Sequence, residues 1–159
     1  EEKGEIVCGL IFDPIKDETF FAEKGSGAFL NNSRIRVTKK KKLKNSILVT
    51  GGPKFNSPRK SDIFQEYIKV SNLTEANIRK FGSAALNLSY VAAGRFDAYW
   101  EWELNYWDIA AGIVILKEAG GFIELLEPGS PTSFKRNVIA SNSEIHEELK
   151  EVLVKKNIE

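Results

Sequence analysis

Methionine is absent from the 159 residues, so Glu1 is not an initiator residue and the chain reads as processed, trimmed or a piece of something longer. A single cysteine, Cys8, excludes an intramolecular disulfide framework and a cysteine-based zinc cluster. A single histidine, His146, excludes multi-histidine metal sites. Charge of one sign is not in excess: 23 Lys+Arg against 22 Asp+Glu leave a formal charge of +1, and no global field commits the chain to nucleic acid or an anionic membrane. No apolar run approaches the roughly 20 residues of a membrane helix. No signal peptide opens the sequence, which fits a cytoplasmic protein. Nucleophile-elbow, P-loop and dinucleotide fingerprints are missing as well. What is present is ordinary: 42% hydrophobic and 28% charged residues exclude wholesale disorder, and the length suits one domain.

The first 30 residues read as a hairpin. Residues 6–12 form a short apolar run, strand-like and buried on both faces, with Cys8 as an inert buried thiol. Asp13-Pro14-Ile15-Lys16-Asp17 is turn chemistry rather than a metal site, and residues 19–23 are the return strand. Residues 24–29 are a glycine-punctuated bend, Asn31-Asn32 is a second turn, and residues 34–38 alternate like an edge strand. Lys39 to Lys42 and Lys44 read as a solvated connector, since no aromatic is interleaved for base stacking. These features define an N-terminal unit, 1–44, and a C-terminal α/β unit, 45–159.

In the second unit strands alternate with helices. Strands are predicted at residues 46–50, 78–81, 97–101, 122–126 and 137–140. Helices are predicted from Ser57-Pro58 to about Val70, from Ala84 to Ala93 with Gly94 as its stop, and from Asp108 to about Ala119 closed by Gly120-Gly121. Glu127 to Pro131 is a turn. Asn142 caps a terminal helix with Ile145, Leu149, Val152 and Leu153 inward and His146 on the surface. The order implies an α/β fold with helices covering a mixed sheet.

Three stretches could carry chemistry. Asp108 stands at a helix start, where the ordinary role of an aspartate is N-cap, and the small residues Ala110, Ala111 and Gly112 let a neighbouring helix or a ligand approach. Gly82-Ser83-Ala84 opens another helix with unobstructed backbone N–H groups, a generic anion or hydroxyl geometry and also that of a simple tight turn. Glu101 and Glu103 share one face of a strand and could converge with Asp108 on a cation or on hydroxyls, or stand as exposed carboxylates.

Trp107-Asp108-Ile109-Ala110-Ala111-Gly112 with Glu118-Ala119-Gly120-Gly121 resembles the C-terminal signature of the inositol monophosphatase family. Gly25-Ser26-Gly27-Ala28, Arg79-Lys80-Phe81-Gly82-Ser83-Ala84-Ala85 and Val91-Ala92-Ala93-Gly94-Arg95-Phe96-Asp97-Ala98 resemble further family segments. Phe12-Asp13-Pro14, Glu18 and Phe20 are closer to bacterial, SuhB-type extragenic suppressor members. The resemblance implies a layered α-β-α-β sugar-phosphatase fold and a Mg²⁺-dependent, Li⁺-sensitive phosphomonoesterase. It carries Asp108 over as a metal ligand and catalytic residue, and Glu101, Gly82, Ser83 and Ala84 as the substrate-binding set. Glu103 departs from the glycine usual at its position.

The family's Asp-Pro-Ile/Leu-Asp-Gly-Thr signature and its separate metal-binding Glu are missing. Asp13-Pro14-Ile15-Lys16 places a lysine where that signature needs an aspartate. The chain therefore resembles the C-terminal 60% or so of the pattern, with the N-terminal part of the fold absent. The expectation is a chain inactive alone, acting on inositol phosphate or a related polyol or sugar phosphate when complete. It would form a homodimer or associate with the missing N-terminal half. The alternative is a non-catalytic regulator acting with RNA polymerase in ribosomal RNA transcription, its lysines meeting an acidic partner.

Overall fold

A computed structural model describes residues 1–52, 60–126 and 135–154. Four strands form an antiparallel sheet in sequence order: β1 (Cys8–Asp13), β2 (Glu18–Glu23), β3 (Gly27–Leu30) and β4 (Ser33–Arg34). The expected bend over residues 24–29 thus holds most of a strand, and the edge strand over 34–38 shrinks to two residues. Asp13 Oδ1 accepts from Ile15 N at 3.0 Å and closes the first turn. Asn31 and Asn32 turn the third hairpin with φ of 44° and 67°, values that asparagine tolerates better than most side chains.

The second sheet has the order β6-β5-β7-β9-β8. Here β5 is Ile47–Thr50, β6 Asn77–Lys80, β7 Ala98–Asn105, β8 Phe122–Leu126 and β9 Lys135–Ser141. β5 pairs in parallel with β6 and β7, whereas β9 is antiparallel to both β7 and β8, so the sheet is mixed as predicted. The helices are α1 (Lys60–Thr74), α2 (Ala84–Ala92), α3 (Tyr106–Glu118) and α4 (His146–Val154). The expected cap at Ser57-Pro58 and the turn from Glu127 to Pro131 lie outside the described residues.

Two clusters of buried side chains define the layers. Ile11, Phe20 and Ala28 of the first sheet pack with Leu88 and Val91 of α2, Ile113 and Leu116 of α3, and Val49 and Tyr99 of the second sheet. On the far side of that sheet, Leu48, Trp100 and Ile139 pack with Val70 of α1 and Leu149 of α4. The order is therefore helix, sheet, helix, sheet. The two inner helices end alike. Gly94 (φ 69°) and Gly120 (φ 82°) each follow a last helical carbonyl, and the residues after them, Arg95 and Gly121, donate back to Tyr90 O and Leu116 O at 2.9 Å. This is the six-to-one bond of the Schellman stop, and it accounts for the glycines of both segments.

Two expectations are overturned. β1 is not buried on both faces: Gly9, Ile11 and Asp13 point inward while Cys8, Leu10 and Phe12 point out. Cys8 is consequently exposed rather than an inert buried thiol. His146 is not on the surface but 1% exposed. The helical period places it off the apolar stripe, yet the ring of Phe122 on β8 meets it edge-to-face at 4.6 Å and Ser141 of β9 lies against Nδ1 at 3.0 Å. Among the described residues no helix is long and apolar enough to cross a membrane.

Candidate functional site

Parallel strands β6, β5 and β7 bring their carboxyl ends to one edge of the second sheet, the usual position of a ligand crevice in such sheets. At that edge β5 runs into Gly51-Gly52 and β6 into Phe81-Gly82-Ser83, while β7 continues past them with Glu101 just beyond the Thr50–Trp100 pair. Tyr99 and Glu101 lie two apart on β7, and the Tyr99 hydroxyl donates to Glu101 Oε2 at 2.7 Å. Burial, followed by the neighbouring carboxylate, drives the Tyr99 pKa well above its ordinary value. The phenol therefore stays protonated and holds the carboxylate as a fixed donor. A Cβ on Gly51 would fall 2.0 Å from the Glu101 carboxyl carbon, so only glycine leaves room for the carboxylate over the strand end.

Ser83 caps α2, its Oγ accepting from Leu86 N at 3.3 Å. Gly82 is exposed, and a Cβ added there would meet nothing within 4 Å. One turn on, Asn87 is fully buried beside Tyr99, and its side chain acts on the Tyr99 hydroxyl against the rise in pKa. Sequence reasoning missed Tyr99, Asn87 and Gly51. The glycine pair closing a buried strand was the available signal for Gly51, while Tyr99 and Asn87 meet only through space.

Asp108 is not the N-cap of α3. β7 runs on to Asn105, which takes that position, and Asp108 stands third in the helix. Its Oδ2 accepts from both Asn105 N and Asn105 Nδ2 at 3.2 Å, the reach-back of a capping box. Asp108 also adds, as the smallest contribution, to the field that raises the Tyr99 pKa. The small residues beyond it serve packing: a Cβ on Gly9 of β1 would fall 2.6 Å from Ala111 O, and one on Gly112 would fall 2.6 Å from Leu88.

The regular alternation that would put Glu103 on the face of Glu101 is broken. The pairing of β7 with β9 shifts between Glu101 and Leu104, and Glu103 takes φ 58°. That left-handed conformation is one that glycine adopts without strain. Its N–H donates to Asn137 Oδ1 at 3.1 Å. Of the readings the sequence left open for Glu101, Glu103 and Asp108, a joint cation site is not formed among the described residues. Among the described residues no group of three or more His, Cys, Asp or Glu gathers to hold a metal. Magnesium takes carboxylates, waters and substrate phosphate in near-octahedral geometry. The described residues do not by themselves fit a magnesium site.

The remaining segments singled out in the sequence are structural. Glu118 Oε1 and Oε2 accept from Gly25 N and Gly27 N at 2.8 Å, tying the end of α3 to the first sheet. Asp97 accepts from Ile47 N at 2.8 Å and donates its own N–H to Ile47 O at 2.8 Å. Arg95 grips Glu18 through two bonds of 2.7 and 2.6 Å. Asp13 takes the Lys16 ammonium at 3.0 Å and the Tyr90 hydroxyl at 2.9 Å, and the Lys16 bond leads in holding its pKa at about 2.

The inositol monophosphatase family profile matches residues 1–157. An inositol-1-monophosphatase of Rhizobium meliloti is 40% identical over 96% of this chain and 57% of its own length. A fructose-1,6-bisphosphatase/inositol-1-monophosphatase of Thermotoga maritima is 40% identical over 96% of the chain and 57% of its own. The crystal structure of extragenic suppressor protein suhB from Bartonella henselae superposes with a TM-score of 0.87 at 44% identity, covering 98% of this chain and 59% of that one. The chain thus spans less than two thirds of the length of these relatives. Its match along nearly all of its own length, together with the layered fold, shows that the chain belongs to the inositol monophosphatase family.

Proposed function

We propose that the chain is the larger part of a magnesium-dependent, lithium-sensitive phosphomonoesterase for inositol phosphate or a related polyol or sugar phosphate. The observation that carries this reading is the Glu101 carboxylate, held by the Tyr99 hydroxyl and laid over Gly51 at the carboxyl ends of the parallel strands. A fixed carboxylate accepts hydrogen bonds from vicinal hydroxyls, which suits a polyol ring. In this reading Gly82, Ser83 and Ala84 offer the opposite wall. Asp108, whose Oδ2 is committed to Asn105, would contribute its carboxylate to a metal ion completed by ligands outside this chain. The ion would supply charge stabilisation for the phosphoryl group. The other carboxylates it needs belong to the two fifths of the relatives that this chain does not span. The same missing part would cover the open face of the first sheet, where Leu10, Phe21 and Phe29 line a depression of about 700 Å³. Self-association over that face is the alternative cover.

A transcriptional role through the lysine segment is less favoured. Lys40 donates to Asn45 O, Lys44 pairs with Glu75, and Asn142 Nδ2 holds Thr38 O and Lys40 O. That is a tethered connector.

The deciding experiment is phosphate release from myo-inositol 1-phosphate with Mg²⁺, using the 159-residue chain and a longer polypeptide that adds an Asp-Pro-Ile-Asp-Gly-Thr segment. The expected result is no turnover by the first and turnover by the second, lost in Asp108→Asn. Robust turnover by the 159-residue chain, abolished by Asp108→Asn, would overturn the inactivity of this chain. No turnover by the longer polypeptide would overturn the phosphatase reading.

A further inference from the structure

Side chains of opposite charge, Glu101 and Lys80, lie against the bare backbone of Gly51 and Gly52. A Cβ on Gly51 would meet the Glu101 carboxyl carbon, and one on Gly52 would fall 2.0 Å from Lys80 Nζ. Neighbouring residues of an extended segment face opposite sides. Glu101 follows Tyr99, which packs with α2 and α3, so the carboxylate lies on that side. Lys80 follows Ile78, which packs with Val70 of α1, so the ammonium lies on the other.

Beneath α1 the ammonium side holds a cavity of about 280 Å³ lined chiefly by Thr50, Ile63, Phe64, Tyr67, Lys80 and Trp100. Its volume is near the lower end of ligand pockets, which begin at about 300 Å³. Three of those walls are aromatic, and Phe64 and Tyr67 are 54% and 40% exposed. The Thr50 hydroxyl is spent on Trp100 O at 2.7 Å, so a polyol finds little to bond there. Lys80 provides three donors, and among the described residues no carboxylate pairs with it.

We propose that this cavity is a second ligand subsite, on the side of β5 opposite Glu101, that binds a phosphate or carboxylate carried on an aromatic body. The ammonium takes the anion, and Phe64, Tyr67 and Trp100 take the ring. A cation is repelled, and a bare anion leaves the apolar walls uncovered. The inference concerns binding and does not rest on the phosphatase reading.

The test is calorimetric titration of the purified 159-residue chain with 1-naphthyl phosphate and, separately, 1-naphthoate. Saturable binding of either probe supports the subsite, and the pair distinguishes a phosphate ligand from a carboxylate one. Lys80→Gln and Phe64→Ala should each weaken binding about tenfold, while Lys80→Arg retains it. Inorganic phosphate and 1-naphthol should each bind at least about tenfold more weakly than the combined probe. Both substituted side chains are exposed, and unchanged far-UV circular dichroism verifies the fold of each variant. Absence of binding to both probes overturns the proposal. So does undiminished binding in Lys80→Gln, or loss in Glu101→Gln without loss in Lys80→Gln, which would move the anion to the opposite face.

Discussion

Glu118 Oε2 accepts the backbone N–H of Gly27 at 2.8 Å across 91 residues of sequence, and its Oε1 does the same for Gly25. The pair explains why a glutamate precedes Ala-Gly-Gly at the end of α3. The two glycines that follow stop the helix, and the carboxylate locks that stop to the β2–β3 turn of the other sheet. Gly25 and Gly27 both take positive φ, so the turn offers its N–H groups in a conformation that side-chain-bearing residues resist.

Removing that carboxylate should loosen the first sheet from α3. Glu118→Ala is expected to cost about 2 kcal/mol, the scale of charge-assisted hydrogen bonds discounted for partial solvent access. Glu118→Gln should cost less, because one acceptor oxygen survives. Urea denaturation at neutral pH measures both, and a change below about 0.5 kcal/mol in Glu118→Ala, the range of an ordinary surface substitution, would contradict the role.

His146 should give stability a pH dependence in a window of its own. Burial leads in pushing its pKa below the ordinary 6.5, against the pull of Glu124 and Glu147 and with a small push from Lys150. The folded imidazole is the poorer base, so the unfolded chain takes the proton first as pH falls. The stability is complete above pH 6.5 and is lost as pH drops through the folded value. Glu5, Asp13 and Glu18 also have lowered values, but their unfolded references of 4.5, 3.8 and 4.5 put their losses at more acid pH. As the chain has one histidine, a single imidazole C2–H resonance follows the site directly. His146→Gln should flatten the slope as pH falls below 6.5. An unaltered slope would assign it elsewhere.

Glu103 tests backbone strain. At φ 58° a non-glycine residue costs roughly 1–2 kcal/mol, and glycine returns part of this through its unfolded-state entropy. Glu103→Gly should leave stability unchanged or raise it by up to about 1 kcal/mol. Glu103→Val should lower it, because a β-branched side chain fits that region worst. Thermal melts of the two variants decide the matter by their order, and Val above Gly would be incompatible with the bulge.

Local signals in the sequence were reliable where they recorded backbone chemistry. The helix stops at Gly94 and Gly120, the Asn31-Asn32 turn and the order of strands and helices in the second unit could all be read. What failed needed a second layer to interpret. The run 6–12 is as apolar as a strand buried twice, yet within β1 only Gly9, Ile11 and Asp13 face the core, which leaves Cys8, Leu10 and Phe12 outside. His146 lies off the apolar stripe of α4, and β8 and β9 bury it from outside that helix. Glycines at 25 and 27 masked the short β3. At the candidate site, Glu101 and Asp108 were recognisable as carboxylates by resemblance. The Tyr99 hydroxyl that orients Glu101 and the buried amide of Asn87 arise from strand and helix packing, which leaves no local pattern.

Gly51 connects that packing to ligand recognition. An added methyl group would fall 2.1 and 2.3 Å from the two Glu101 oxygens, so Gly51→Ala must swing the carboxylate away from the strand end. The Tyr99 hydroxyl would then lose its acceptor inside a buried site, at a cost of about 1–3 kcal/mol in stability. Gly52→Ala meets only the flexible end of Lys80, which can move into solvent, and should cost far less. On the phosphatase reading, the longer polypeptide carrying Gly51→Ala should show a raised KM for the polyol phosphate with a smaller change in kcat, since hydroxyl binding is lost rather than phosphoryl chemistry. Gly51→Ala and Glu101→Gln should also be far from additive, because both remove the same carboxylate from the same place. Additive effects on KM in the double variant would show that Gly51 does not act through Glu101.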